Sequence, residues 1–260
     1  MTVKNKLPLN AVLFLAFILV VGMFTYVVED HDVDSLVKPW HTQMNKFGDE
    51  LSFSYVERYK VLDYGRTISQ LDSFEGTTVS ILVDAWGVPY EENKMAEEFG
   101  LFEGVNCEGF LHKRLLNYTK HAEHAEFRLE TPGGIYLFNG DSAEYGRRDY
   151  VKKLGYEQIL FCHRAEGTVL LEKVDSLLKM ESRPRIIAVS LQSSRQGNQI
   201  SIRKSLEEIS RFCSRWNDVR FIIQGTHRPV LVSREERERY YAYWVPVVVV
   251  TPKNHKGNVE

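Results

Sequence analysis

From residue 76 onward, the sequence alternates short apolar runs rich in β-branched residues with longer amphipathic segments. Short apolar runs of this kind are typical of strands buried on both faces of a sheet. Their alternation with helices predicts an α/β fold, a mostly parallel sheet sandwiched by helices. The predicted strands are TTVSILVDAW, GIYLFNG, YEQILFC, RIIAVSLQ, VRFIIQG and WVPVVVVT. The predicted helices span residues 91–99, 107–129, 142–154, 168–180, 201–216 and 233–241.

Residues 11–28 form an uncharged apolar run near the N-terminus. At about 1.5 Å per helical residue this run spans roughly the thickness of a bilayer core. We interpret it as an uncleaved transmembrane anchor, with a cleaved signal peptide as the alternative. Lys4 and Lys6 precede the run and acidic residues follow it, which places the N-terminus in the cytoplasm and the main domain outside.

These features predict the domain organisation of the chain. It comprises a short cytoplasmic N-terminus (1–8), the transmembrane anchor (9–28), a juxtamembrane stalk (29–75), the α/β domain (76–252) and a C-terminal tail (253–260). The net charge is −2, which gives no electrostatic reason to expect a nucleic-acid partner. The three cysteines, Cys107, Cys162 and Cys213, form no CxxC pair, which argues against a structural zinc module, and one disulfide with one free thiol stays open.

Polar residues follow several of the predicted strands, where the sites of parallel α/β proteins are found. Arginine binds phosphate or sulfate bidentately, and Asp with His can ligate zinc or manganese. The pattern therefore predicts a site for an anionic ligand. The alternative is that each side chain only caps a helix or bonds a loop. The residues are Asp84, Asn139, Asp141, Gln192, Ser193, Ser194, Arg195, Thr226, His227 and Arg228.

The order of four segments resembles the alkaline-phosphatase superfamily, in particular its sulfatase-like branch with the phosphoethanolamine and phosphoglycerol transferases. The segments are VSILVDAWGVPYEE, AEFRLETPGGIYLFNGDSAEYGRRDYVKKLGYEQILF, RPRIIAVSLQSS and VRFIIQGTHRPV with the later YWVPVVVVTP, within residues 76–252. The resemblance implies a membrane-anchored protein whose main domain lies outside the cytoplasmic membrane, in the periplasm of a bacterium. It also implies that Asp84 and His227 are metal ligands.

The sequence departs from the pattern of that family in three ways. Thr226 stands where the family has the Asp of a late Asp-His pair. Counting back from EFR for the nucleophile leads to Ala122, and the nearest hydroxyl, Thr119, lies about one helical turn too early. The segment LQSSRQG lacks the histidine that the family usually has there. Since fewer anionic ligands weaken metal binding, the resemblance implies a vestigial site that holds one zinc or manganese ion weakly, or none tightly.

The candidate site residues fall into three groups. The metal ligands are Asp84 and His227, and the candidate nucleophiles are Thr119, Thr226 and Ser193. The anion-binding candidates are Arg128, Asn139, Asp141, Arg195 and Arg228. A separate motif, HAEHAE at residues 121–126, has the spacing of a zinc site, but a solvated helix face is the favoured interpretation.

Three functional hypotheses follow from these residues. The favoured one is a catalytically degenerate pseudoenzyme of the cell envelope that binds a phosphorylated or sulfated glycan or lipid, or a protein partner. The second is an active metal-dependent hydrolase or transferase of phosphate or sulfate esters with a rebuilt site. The third is a structural envelope protein that uses the fold for assembly. Metal uptake with turnover would favour the second hypothesis, and anion binding without turnover would favour the first.

Overall fold

The computed structural model describes residues 49–62, 65–71, 74–114, 119–138, 145–162, 167–191, 199–230 and 232–252. The predicted transmembrane run and the C-terminal tail lie outside these residues. Among the helices of the described residues, none is long and apolar enough to cross a membrane. The following account concerns the compact unit that begins at Leu51.

Eight strands of the described residues form one sheet, in the order β1-β3-β8-β7-β2-β6-β4-β5. Only β8 among them runs antiparallel to its neighbours, β3 and β7, and every other pairing is parallel. The predicted mostly parallel sheet is therefore confirmed. The strands are β1 (Lys60–Leu62), β2 (Thr78–Val83), β3 (Cys107–Lys113), β4 (Ile135–Phe138), β5 (Gln158–Phe161), β6 (Ile186–Leu191), β7 (Arg220–Gly225) and β8 (Trp244–Val250).

Helices pack on both faces of this sheet. The side chains of β2 alternate between the faces, so that Ile81 lies in one hydrophobic cluster and Leu82 in the other. The cluster around Ile81 includes residues of α5 and α6, and the cluster around Leu82 includes residues of α3 and α4. The helices are α1 (Phe53–Arg58), α2 (Glu92–Gly100), α3 (Thr119–Phe127), α4 (Tyr145–Lys153), α5 (Gly167–Leu178), α6 (Gln199–Cys213) and α7 (Arg234–Arg237), and a 3-10 turn spans Thr67–Gln70.

The three central strands end at the same level. Val83, the last residue of β2, is in register with Leu191 at the end of β6 and with Gly225 at the end of β7. All three strands run in parallel, so the residues that follow them emerge at one edge of the sheet. This register places the segment after β2 beside the segment after β7.

The structure corrects the predicted helix over residues 107–129. Residues Cys107–Lys113 form β3, which is antiparallel to β8, and the helix begins only at Thr119. The apolar spacing of this segment resembled that of a helix. The segment forms a strand because it pairs with β8, whose residues are all buried, and a local sequence pattern does not reveal such a distant partner.

Two further boundaries differ from the prediction. The sheet begins before Gly76, because Lys60–Leu62 forms the edge strand β1 beside β3, so part of the expected stalk belongs to the α/β unit. The last predicted helix is reduced to α7, whose start is capped by the Ser233 hydroxyl accepting the Glu236 N–H. The three cysteines are free thiols.

Candidate functional site

The candidate site begins with the turn that follows β2. The Asp84 N–H donates to the Leu191 carbonyl at 3.0 Å, which extends the β2–β6 pairing by one residue. The next residue, Ala85, has φ 58°, a left-handed conformation that costs a non-glycine residue roughly 1–2 kcal/mol. The Ala85 N–H donates to Thr226 Oγ1 at 3.2 Å, so a side chain from the segment after β7 helps to hold this turn.

Two glycines allow the backbones after β2 and β7 to approach each other. A Cβ at Gly225 would lie 1.8 Å from the Trp86 carbonyl oxygen. A Cβ at Gly87 would lie 2.6 Å from Arg228 Cα. Real Cβ atoms do not approach backbone atoms this closely, so only glycine fits at either position. This close approach brings Asp84 next to Thr226 and His227.

Three side chains converge on the Asp84 carboxylate. Thr119, the first residue of α3, donates its hydroxyl to Asp84 Oδ1 at 2.5 Å. Thr226 donates to the same oxygen at 3.1 Å. His227 Nε2 lies 3.2 Å from Asp84 Oδ1 and 3.2 Å from Thr119 Oγ1. The structure therefore joins four predicted residues, which come from the ends of two strands and the start of one helix.

The hydrogen bond at the far side of the imidazole fixes where the His227 proton lies. His227 Nδ1 is 2.6 Å from the Arg228 carbonyl oxygen, and a carbonyl can only accept, so Nδ1 carries a hydrogen. In the neutral ring, Nε2 then directs its lone pair at the carboxylate oxygen of Asp84. Two electron-rich atoms 3.2 Å apart repel each other unless a proton or a metal cation lies between them. The site is thus built to hold one positive charge at this point.

The carboxyl group of Asp84 is ionised at neutral pH. Its burial acts to raise the pKa, but the hydrogen bond and charge of His227 and then the bonds from Thr119 and Thr226 outweigh burial and lower it. A partly buried carboxylate with three hydrogen-bonding neighbours is the anionic centre of the site.

The donor atoms of the site fit one divalent cation. Zinc bonds of about 2.0–2.2 Å put neighbouring ligands of a tetrahedron roughly 3.3–3.6 Å apart. The 3.2 Å between Asp84 Oδ1 and His227 Nε2 is close to that spacing. Thr119 would supply a third oxygen. No group of three or more His, Cys, Asp and Glu side chains suited to a metal occurs in the described part of the chain, where Asp84 and His227 are the conventional ligands at this point.

Of the other predicted site residues, the two that the structure describes are not brought into this cluster. Arg228 follows His227, but its Nη1 donates to the Tyr240 carbonyl at 3.4 Å. Arg128 is exposed and comes just after α3 ends, nine residues from Thr119, which is about 13 Å of helix. Four candidates lie outside the described residues, namely Asn139, Asp141, Ser193 and Arg195.

The HAEHAE motif has a structural role that the solvated-face prediction did not include. Glu123 and Glu126 are buried, and His124 is exposed. Glu123 accepts from Ser190 Oγ at 2.7 Å, and Glu126 accepts from Arg114 Nη1 at 3.0 Å. The prediction of a solvated face is therefore wrong for the two glutamates, whose hydrogen bonds hold α3 against the sheet.

Sequence reasoning missed a buried polar network beneath α3. Glu126 accepts from the Thr67 N–H at 2.9 Å, and Gln224 Nε2 lies 2.7 Å from His112 Nδ1 and 3.4 Å from Glu126 Oε1. Buried polar groups of this kind fix one packing arrangement because each would be costly to leave unpaired. The available signal was polar His112 and Gln224 inside otherwise apolar strand segments.

Comparison with known proteins shows that the fold of this chain is similar to that of several solved structures. Neither a family model nor a curated protein sequence matches the chain. Among solved structures, the lipoteichoic acid synthase LtaP from Listeria monocytogenes matches with a TM-score of 0.48 and 9% identity, over 70% of this chain and 66% of that chain. The present chain thus spans slightly less than two thirds of LtaP.

Two further solved structures match to a similar degree. The Streptococcus pyogenes phosphoglycerol transferase GacH, in complex with sn-glycerol-1-phosphate, has a TM-score of 0.46, 9% identity and coverage of 70% of each chain. The C-terminal periplasmic domain of EcEptC from Escherichia coli has a TM-score of 0.47, 9% identity and coverage of 70% of this chain and 74% of that chain. At 9% identity, these matches describe a likeness of the fold alone.

Proposed function

We propose that this chain is a membrane-anchored, extracytoplasmic domain that hydrolyses or transfers a phosphate or sulfate ester, with Thr119 as the nucleophile. The observation that carries the proposal is the contact of the Thr119 hydroxyl with both Asp84 and His227. The count along the sequence put this hydroxyl one turn too early, yet it lies at the anionic centre of the site. The favoured hypothesis from the sequence thus gives way to its active alternative.

The side chains of the site have distinct roles in this proposal. Thr119 Oγ1 forms a bond to phosphorus or sulfur while the ester bond to the leaving alcohol breaks, and the proton that the Thr119 hydroxyl gives up is taken up by the alcohol oxygen. Water, or an acceptor alcohol in a transfer, then forms a bond to the same phosphorus or sulfur, breaks its bond to Thr119 Oγ1 and returns a proton to that oxygen. Asp84 accepts the hydrogen bond of the hydroxyl and orients its oxygen. Because Thr119 is the first residue of α3, the positive end of the helix dipole favours negative charge at this oxygen. A divalent cation held by Asp84 and His227 would neutralise charge developing on the ester.

The substrate class and the location come from the sequence. The uncharged run at residues 11–28 supports an anchor, and the order of the motifs supports an ester of the cell envelope, such as a phosphorylated or sulfated glycan or lipid. Acid esters of this kind carry the negative charge that a site with a bound cation attracts.

The proposal is tested with the full chain in non-ionic detergent, supplied with Zn²⁺ or Mn²⁺ and with p-nitrophenyl phosphate or sulfate. We expect Thr119→Ala to lower turnover about a thousandfold or more, and Thr119→Ser to stay within about tenfold of the parent, because serine keeps the nucleophilic oxygen. Ser176→Ala, at an exposed hydroxyl on α5, is the matched control. Mass spectrometry of the stalled reaction should find the transferred group on Thr119. Unchanged turnover in Thr119→Ala would refute this role.

A second candidate function is anion binding without turnover. It is favoured by Thr226, a neutral hydroxyl where the resemblance implies a carboxylate ligand. If no ester is turned over by the parent chain in the presence of either metal, while Asp84→Ala abolishes binding of phosphate, the binding function is the correct one.

A further inference from the structure

A cleft lies at the opposite edge of the sheet from the candidate site. It has a volume of about 520 Å³, within the usual range of roughly 300–1,000 Å³ for ligand pockets. Thr78 and Arg220, which line it, are the first residues of β2 and β7. Asp84 comes six residues after Thr78, so the cleft and the candidate site are separated by about 20 Å of strand.

Three arginines line this cleft, and two of them have guanidinium N–H groups that can donate hydrogen bonds to a ligand. Arg66 donates from Nε to the Glu126 carbonyl at 2.9 Å, and its Nη atoms make no hydrogen bond with the residues that the structure describes. The side chain of Arg185 is exposed and makes no hydrogen bond or ion pair with any described residue. A guanidinium group offers five N–H donors in a planar fork that matches phosphate and sulfate.

The third arginine is held in place by its neighbours. Arg220 is buried, donates from Nε to Thr78 Oγ1 at 3.2 Å, and lies 5.1 Å from the centroid of the Phe74 ring. A cation fixed at the wall of a cleft acts on a ligand without first losing side-chain entropy. Glu75 and Glu130 also line the cleft, and both are exposed, so the arginines outnumber the carboxylates by three to two.

Part of the remaining wall of the cleft is apolar, and Ser69, Thr78 and Thr131 add hydroxyl groups to it. Ile68, Leu71 and Phe74 line it on the side of the 3-10 turn, and Leu129 and Ile186 line it on the side of α3 and β6. A pocket that combines placed cations with an apolar portion of its wall suits a molecule that joins an anionic group to a carbon skeleton.

We propose that this cleft binds the phosphate or sulfate group of an amphipathic organic molecule, with Arg66 and Arg185 on the anion and the apolar wall on its carbon portion. The site is distinct from the Thr119 site and stands whether or not that site is catalytic. Two sources provide such a group, a free organic phosphate and the headgroup of an anionic lipid.

The test uses the full chain in phosphatidylcholine nanodiscs, with Asp84→Ala as the background so that the Thr119 site does not contribute. Butyl phosphate is titrated by calorimetry. We expect Arg185→Gln and Arg66→Gln each to weaken binding about tenfold, because each removes charge-assisted bonds to the anion. Arg211→Gln is the control, since Arg211 is exposed and also donates from Nε to a backbone carbonyl, that of Glu207.

The outcomes separate the two sources and refute the proposal if it is wrong. A weaker apparent affinity in nanodiscs that contain phosphatidic acid, absent in Arg185→Gln, identifies the lipid headgroup as the occupant. Arginine-dependent binding without this competition identifies a free organic phosphate. No binding, or equal binding in all three arginine variants, overturns the proposal. A parallel titration of the chain that keeps Asp84 is the comparison: binding seen only there also overturns the proposal, because the anion then occupies the Thr119 site.

Discussion

Glu98 should make the stability of this protein depend on pH around neutrality. It lies on α2 and accepts the Trp86 Nε1–H at 2.8 Å. Burial raises the pKa of its carboxyl group to about 7, against an ordinary value of 4.5, and the Trp86 bond and Lys94 only partly oppose this. The folded chain therefore binds the Glu98 proton more tightly than the unfolded chain does.

The sign and size of the effect follow from that difference. The stabilising contribution of protonated Glu98 is fully present below about pH 4.5 and is lost as the pH rises through about 7. A difference of about 2.5 pKa units, from 4.5 to 7, corresponds to about 3 kcal/mol in the free energy of unfolding. Glu98→Gln keeps an oxygen that accepts from Trp86 and removes the titration.

The assay is urea unfolding of the full chain in detergent, followed by tryptophan fluorescence from about pH 4 to about pH 8. Over that range we expect the parent to lose about 3 kcal/mol relative to Glu98→Gln. Glu97→Gln, at the exposed neighbouring position, should follow the parent. Parallel curves for the parent and Glu98→Gln would refute the reasoning.

Two substitutions test the construction of the candidate site itself. Gly225→Ala places a Cβ 1.8 Å from the Trp86 carbonyl oxygen, so we expect it to lower the free energy of unfolding by about 3 kcal/mol or more in urea melts. Gly104→Ala, with no atom within 4 Å of the new Cβ, should change it by less than about 0.5 kcal/mol, and equal effects would contradict the close approach. Thr226→Asp adds an anionic ligand beside Asp84 and should tighten Zn²⁺ binding about tenfold or more by calorimetry. An unchanged affinity would contradict a metal position within reach of residue 226.

The central sheet could be predicted from the sequence because its signals are local. The strands β2, β6, β7 and β8 are apolar runs of β-branched residues, and burial on both faces requires that composition. Parallel strands with a common edge then place the residues after β2 and β7 together, which is how Asp84 and His227 were expected to meet. This part of the site follows from strand pattern and topology alone.

The contributions of β3 and α3 could not be predicted in the same way. The length of β3 is decided by its pairing with β8, which comes more than a hundred residues later, so no local pattern marks where the strand ends. The position of α3 on the sheet depends on its contacts with other elements, so the count back from Glu126 gave no reason to expect the Thr119 hydroxyl at Asp84. The role of Glu126 was hidden for a similar reason, since its partners Arg114 and Thr67 lie on other elements.

The order of strands in the sheet determines when the protein can fold during synthesis. The bond between Thr226 and Asp84 joins residues 142 positions apart, and β2 is paired on both sides by strands made much later. At roughly 5–20 residues per second, the new chain exposes β2 for about 7–28 s before β7 is made. Although β6 is made earlier and can cover one side, the other edge of β2 stays open for this time, and a chain cut short before β7 would keep that open edge, which is prone to aggregation.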